Sequence, residues 1–223
     1  MQIQEKIYIF LCAAFVTLIV TSNLIYQKFV YLPILPFHTF ELSVGAILYP
    51  LTFLITDLIA EFYGKEKAKF CIKLAIAMNI LAALIIAGMD QLEATTWSKI
   101  DNSTFHKIFG FYSVAFMGSI IANYIAQSVD VVIYLWIKKL TKNKFLWLRN
   151  NISTAISLLI DTSIVVSFLT IFGVLPIEQM LSLIINSYLF KLFFIVFSTP
   201  LFYVAFYLIK NFSKINSKLS VPK

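Results

Sequence analysis

The chain has 223 residues, 60% of them hydrophobic and only 13% charged, and its mean hydropathy of +0.87 excludes an ordinary soluble domain. The formal net charge of +7 comes without a basic groove interleaved with aromatics, so nucleic acid is excluded as a partner and the lipid bilayer is expected as one. A hydrocarbon core of roughly 30 Å takes about 20 apolar residues per helix, which leaves this chain room for six crossings with short loops and little else.

Lipid offers no partners to open backbone, so the apolar stretches are read as helices. They fall at roughly 6–27, 43–63, 70–89, 109–137, 152–175 and 182–209. The expected fold is an all-α membrane protein, a six-transmembrane-helix bundle forming a single integral domain.

The first span, Ile7 to Ile25, follows Lys6 as a signal peptide would. It is longer than a leader core and lacks a small-x-small cleavage site, so it reads as a retained helix. It ends in Thr21-Ser22-Asn23, where Asn23 either caps the helix or touches a ligand. Cys12 in this span and Cys71 in the third belong to no CxxC or Cys/His cluster. They read as membrane-embedded thiols, and neither a disulfide framework nor a metal site is expected.

An ionisable side chain near a helix centre costs roughly 2.5–3.5 kcal/mol on insertion scales, so each one marks a candidate site. The second span carries Asp57 and Glu61 four residues apart, on one helical face, with Tyr49 and Pro50 two turns earlier in position to shape a pocket. Asp57 is the deeper; Glu61 either reaches the cytoplasmic interface beside Lys65 or serves as a ligand. The polar segment from Asp90 to Lys107 is the longest external loop, a lid or a connector.

The fourth span sets Asn123, Gln127, Asp130 and Tyr134 at i, i+4, i+7 and i+11, a stripe that must face protein or a watery cavity. Gly118, Ala122 and Ala126 form a neighbouring row of small residues that predicts close helix packing. In the fifth span Asp161 lies near the midplane, with Ser157 one turn before it and Thr162 after it. Lys191 in the sixth is at similar depth and is expected to neutralise Asp161 or Asp130 as an internal counter-charge. Three deep carboxylates against one lysine leave an excess of acid, which suits a cationic or hydrogen-bond-donating solute, or carboxyls held protonated.

Basic residues crowd alternate loops: Lys65, Lys67, Lys69 and Lys73; Lys138, Lys139, Lys142, Lys144 and Arg149; and Lys210, Lys214, Lys218 and Lys223. The other loops hold Lys28, Lys99 and Lys107. The positive-inside rule therefore predicts both termini in the cytoplasm of a multi-pass protein of the cell inner membrane.

The run from Thr21-Ser22-Asn23 through Phe37-His38-Thr39 to Pro50-Leu51-Thr52-Phe53-Leu54-Ile55-Thr56-Asp57-Leu58 and Gly64 resembles the queuosine precursor transporters, also called the vitamin uptake transporter (VUT) family. The likeness continues through Ala122-Asn123-Tyr124-Ile125-Ala126-Gln127-Ser128-Val129-Asp130, Asp161-Thr162, Phe190-Lys191 and Thr199-Pro200. Where some relatives carry an amide three residues before the fifth-span aspartate, this chain has Leu158, so one polar contact is lost or supplied elsewhere. The resemblance implies import of 7-deazaguanines, 7-cyano- and 7-aminomethyl-7-deazaguanine, for queuosine modification of tRNA, with queuine or another vitamin-like heterocycle as the alternative cargo.

The residues agree with such a cargo. A guanine-like edge presents an N1–H and an exocyclic amine that one carboxylate accepts together, while an amide serves the carbonyl or ring nitrogen. The expected substrate-binding set is Asp57, Asp130 and Asp161 with Asn23, Asn123 and Gln127, and Lys191 as counter-charge. Helix count and size resemble the substrate-binding subunits of energy-coupling-factor importers, so an energy-coupling partner is compatible with the sequence, as are a homo-oligomer, proton coupling and facilitated diffusion. With no Walker A sequence, no GxGD, GxSxG or HExxH, and His38 and His106 alone in external segments, neither an enzyme nor a cofactor is expected. The rival to a transporter is an assembly protein whose polar residues only join helices.

Overall fold

A computed structural model describes residues 3–35, 38–109 and 112–219. Phe37, the start of the predicted fourth span at Gly110 and Phe111, and Lys223 lie outside them. The elements are α1 (Ile3–Ile25), β1 (Phe29–Leu35), β2 (His38–Ser43), α2 (Val44–Met89), α3 (Asn102–Phe109), α4 (Tyr112–Leu140), α5 (Leu146–Ile171) and α6 (Ile177–Leu219). Five of these helices are long and apolar enough to cross a membrane.

The longest, α2, is not one rod. Gly64 inside it has φ 82° and ψ 176°, a conformation essentially confined to glycine, and the chain reverses there. Tyr63 Oη donates to the Gln4 carbonyl and Tyr8 Oη to the Lys67 carbonyl, at 2.9 and 3.0 Å, so the Gly64 turn sits at the start of α1. At the other end of α1, Asn23 Nδ2 donates to Asn79 Oδ1 at 3.1 Å and Ser22 lies against Gly45. The half before Gly64 (α2a) thus runs antiparallel to α1 and the half after it (α2b) runs parallel. The second and third spans expected from the sequence are these two halves, joined by a single turn residue instead of a loop. Cys12 and Cys71, free and buried, lie against each other between α1 and α2b.

The expectation of an all-α chain needs a correction between α1 and α2, where β1 and β2 form an antiparallel two-stranded ribbon. Its second strand alternates in period two, with Phe40 and Leu42 buried and packed on Phe190 of α6. Pro33 is tolerated because β1 is an edge strand, and the pairing shifts register between Leu32 and Leu35. Ser43 then starts α2: its Oγ accepts from the Gly45 amide at 3.2 Å and donates to the Tyr26 carbonyl.

The external segment from Asp90 is part helix. Asp101 Oδ1 accepts from the Thr104 amide at 2.7 Å and from Ser103 Oγ at 3.1 Å, capping α3. These bonds, Thr104's first among them, hold the Asp101 carboxyl below its ordinary range. His106, expected to be alone, instead meets Asp90 Oδ2 at 2.6 Å.

Helices α4, α5 and α6 pack on α2a, with α5 antiparallel to its neighbours. The small-residue row of α4 does bring helices close: a Cβ on Gly118 would lie 2.5 Å from Phe168 Cδ1 of α5, and Ala122 and Ala126 are fully buried. Large apolar residues such as Leu84, Ile85, Phe197 and Val204 stay exposed on the outer faces of α2b and α6, as a lipid-facing surface requires.

Candidate functional site: an outer cavity and a buried polar seam

Where α1, α2a, α4, α5 and α6 meet beneath the β-ribbon, they enclose a cavity of about 100 Å³, several times the roughly 10–15 Å³ that admits one water on the same measure. Each helix reaches it with residues one turn apart. Ser22, Asn23 and Tyr26 come from the end of α1, Tyr49 from α2a and Ser119 from α4. From α5 and α6 come Asp161, Thr162, Ser187 and Lys191. The remaining wall is apolar and partly aromatic, with Phe29 of β1 and Phe116 of α4. Pro50 has no N–H for the Ala46 carbonyl one turn earlier, and Ala46 is also in the wall.

Lys191 Nζ lies 2.9 Å from Asp161 Oδ2 and 2.8 Å from Thr162 Oγ1, and 5.2 Å from the centre of the Tyr49 ring. Of the two partners expected for this lysine, Asp161 is the one it takes. Asp161 Oδ1 and Ser22 Oγ have no hydrogen-bond partner, and both residues line the cavity, as does Tyr26. A buried polar atom without a partner costs about 1–3 kcal/mol, so two of them at one cavity mark a place where a polar ligand completes the bonding. Asn23 caps nothing: its Nδ2 donates to Asn79, and its Oδ1 accepts from Ser119 Oγ at 2.6 Å.

Below the cavity, facing residues of α2a, α4 and α5 form a polar seam. Asn123 Nδ2 donates to Tyr49 Oη at 3.2 Å. Gln127 Nε2 donates to Thr52 Oγ1 at 3.1 Å, and Thr56 Oγ1 donates to Gln127 Oε1 at 2.7 Å. Next come the carboxyls of Asp57 and Asp130, in contact with each other and fully buried. Thr154 Oγ1 is 3.4 Å from Asp57 Oδ2, and Ser153 and Ser157 lie against Asp130.

The seam ends at Glu61. Its carboxylate takes Arg149 Nη2 at 2.8 Å and Lys138 Nζ at 3.0 Å, and accepts from Tyr134 Oη at 3.0 Å. Glu61 lines the same cavity as Lys65, but its ion pairs are with Lys138 and Arg149. Arg149, read as a loop residue, is 2% exposed inside an α5 that begins at Leu146. Its spacing in the sequence was the missed signal, since Arg149, Ser153, Ser157 and Asp161 repeat every fourth residue along one face. Beyond Glu61 a second cavity of about 610 Å³ opens, lined also by Lys65, Lys138, Lys139 and Lys142.

The predicted residues therefore divide. Asn23, Asp161 and Lys191 line the outer cavity; Asn123, Gln127, Asp57 and Asp130 form the seam beneath it and do not line it. Leu158, where some relatives are expected to carry an amide, is completely buried.

Residues 43–205 match a family model described as "Putative vitamin uptake transporter". A protein of Bacillus subtilis (strain 168) named "Probable queuosine precursor transporter" is 32% identical over 172 residues, covering 76% of this chain and 73% of that protein. No solved structure matches the chain.

Proposed function

Because the chain belongs to the vitamin uptake transporter family, we propose that it is an importer of queuosine precursors, with the outer cavity as its binding site and 7-cyano- and 7-aminomethyl-7-deazaguanine as its cargo. The observation that carries this reading is the two unpartnered polar atoms, Asp161 Oδ1 and Ser22 Oγ, at a cavity with aromatic walls that Tyr26 also lines. A 7-deazaguanine supplies the missing partners. Its N1–H and exocyclic amine donate to Asp161 Oδ1, and its carbonyl and ring nitrogen accept from the hydroxyls. Its flat ring packs against Phe29, Tyr49 or Phe116. Lys191 Nζ holds Asp161 Oδ2 and leaves Oδ1 to the ligand. Asn23 orders the rim, and Asn123 and Gln127 hold Tyr49 and Thr52 from below.

In this reading α2a and α2b each cross the membrane, giving six crossings. The lysine-rich Gly64 turn, the α4–α5 connection and both termini face the cytoplasm of the inner membrane. The assembly-protein reading is less favoured because the Asp161–Lys191 pair joining α5 to α6 opens onto a cavity instead of closing the interface between the helices.

The test is uptake of labelled 7-cyano-7-deazaguanine by cells deficient in their own uptake and synthesis. Wild-type protein is expected to restore uptake, and Asp161→Asn at normal membrane levels to reduce it at least tenfold. Unlabelled 7-aminomethyl-7-deazaguanine should compete and biotin should not. Uptake unchanged by Asp161→Asn removes the site assignment. Competition by queuine stronger than by either precursor moves the cargo to queuine.

A further inference from the structure

We infer that the Asp57–Asp130 carboxyl pair is a proton-carrying site that couples solute import to inward proton movement. This rests on the importer reading above and goes beyond it, because neither carboxyl lines the cavity.

Both side chains are fully buried in contact with each other, and their only other neighbours in hydrogen-bonding reach among the described residues are neutral hydroxyls, Thr154 at Asp57 and Ser153 and Ser157 at Asp130. Two carboxylates in contact away from water do not both ionise, since their repulsion is unscreened; one proton held between them removes it. Among the described residues no cation is paired with either carboxyl. The groups facing the pair are Thr56 and Glu61 from α2a, Gln127 and Tyr134 from α4, and Ser153, Thr154, Ser157 and Arg149 from α5. The one nearby guanidinium and the Lys138 ammonium are both committed to Glu61, and Lys191 is committed to Asp161.

The charge count along the seam decides the stoichiometry. Asp57, Asp130 and Glu61 stand against Arg149 and Lys138, so the seam as a whole carries one excess negative charge when all five are ionised and none when the pair holds one proton. A single proton is thus the quantity that separates a neutral buried seam from a charged one. The pair also has an approach from each side. Towards the outer cavity, Thr56, Gln127 and Thr52 are hydrogen-bonded in series and Thr52 donates to the Tyr49 carbonyl, with Asn123 on the Tyr49 hydroxyl. Towards the inner cavity lie Tyr134 and Glu61. From Tyr49 to Glu61 is twelve residues of helix, about 18 Å at 1.5 Å per residue, so the two cavities flank a short polar barrier with the carboxyl pair inside it. A proton suits the pair better than a sodium ion, because carboxyls in direct contact leave no space between them for a cation that needs several oxygen ligands.

Purified full-length protein in proteoliposomes tests this with labelled 7-cyano-7-deazaguanine. Under an inward proton gradient, wild type is expected to concentrate the solute at least tenfold above equilibrium, and a protonophore to abolish that. Asp57→Asn and Asp130→Asn are expected to exchange internal for external solute at symmetric pH within about twofold of wild type while failing to concentrate it. A measurement needing no variant accompanies these: adding solute to wild-type vesicles without a gradient should alkalinise the external medium, read by an impermeant pH dye. Equilibration only, concentration driven by a sodium gradient, no pH change, or concentration retained by both variants would each overturn the inference. Loss of wild-type exchange itself is a different failure, which removes the importer reading first.

Discussion

Lys191 of α6 gives its ammonium to Asp161 Oδ2 of α5 at 2.9 Å and leaves the other carboxylate oxygen without a partner at the wall of the outer cavity. One half of the carboxylate is thus held by the protein and the other half is open to a ligand. Removing either partner strands a buried charge, which typically costs 3–5 kcal/mol, whereas removing both does not. Lys191→Met and Asp161→Leu are each expected to lower thermal stability in detergent sharply, and the double variant to recover most of that loss. All three should fail to bind 7-cyano-7-deazaguanine. A double variant no more stable than the singles would show that the two side chains do not act as a pair.

Glu61 ties three elements together through Arg149, Lys138 and Tyr134. With Arg149 only 2% exposed, Glu61→Gln should cost about 3–5 kcal/mol by leaving the guanidinium unpaired. Arg149→Lys should also be damaging, because an ammonium cannot reach both Glu61 and Tyr134 as the planar guanidinium does. Denaturation followed by a thiol-reactive dye on the buried Cys12 and Cys71 checks both. A midpoint unchanged in either variant contradicts the geometry.

Gly118 packs against the Phe168 ring so closely that an added Cβ would be 2.5 Å from it. Gly118→Ala is expected to destabilise the α4–α5 interface by about 1–3 kcal/mol through overpacking. Shortening the ring with Phe168→Leu in the same chain should restore the midpoint, since the obstacle is a side chain and not backbone. If the second substitution adds to the loss instead of relieving it, the contact is not the cause.

Gly64 holds a conformation that other residues adopt at a cost of about 1–3 kcal/mol. Gly64→Ala should weaken the reversal between α2a and α2b. The turn itself is checked by labelling single cysteines at Glu66 and Ser98 in a Cys-less background with an impermeant maleimide. The two positions are expected to react from opposite sides of the membrane. Labelling of both from one side would mean that α2b does not cross.

Lipid solvation made much of this architecture legible from residues alone. A segment that must bury its backbone bonds and meet hydrocarbon has one structural option, so apolar stretches give helices, and the four- and three-residue steps from Asn123 to Gln127 to Asp130 fix the face they share. The pairing of Lys191 followed from the cost of an isolated charge. The period-two pattern of Phe40 and Leu42 was present as well, but in a short segment between two spans it competes with a plain connector.

Which polar faces meet, and which of them meet empty space, was set by packing in three dimensions. Spacing orders side chains along one helix, whereas the angle and depth at which α5 packs on α2a and α4 depend on contacts such as Gly118 with Phe168, which no local pattern encodes. That packing set Asp161 at a cavity and Asp57 against Asp130 beneath it, although the three look equivalent as deep aspartates in a string of letters. It also drew Arg149 out of a basic loop into the protein, because a guanidinium with a carboxylate in reach is stabler paired there than a count of loop charges can reveal.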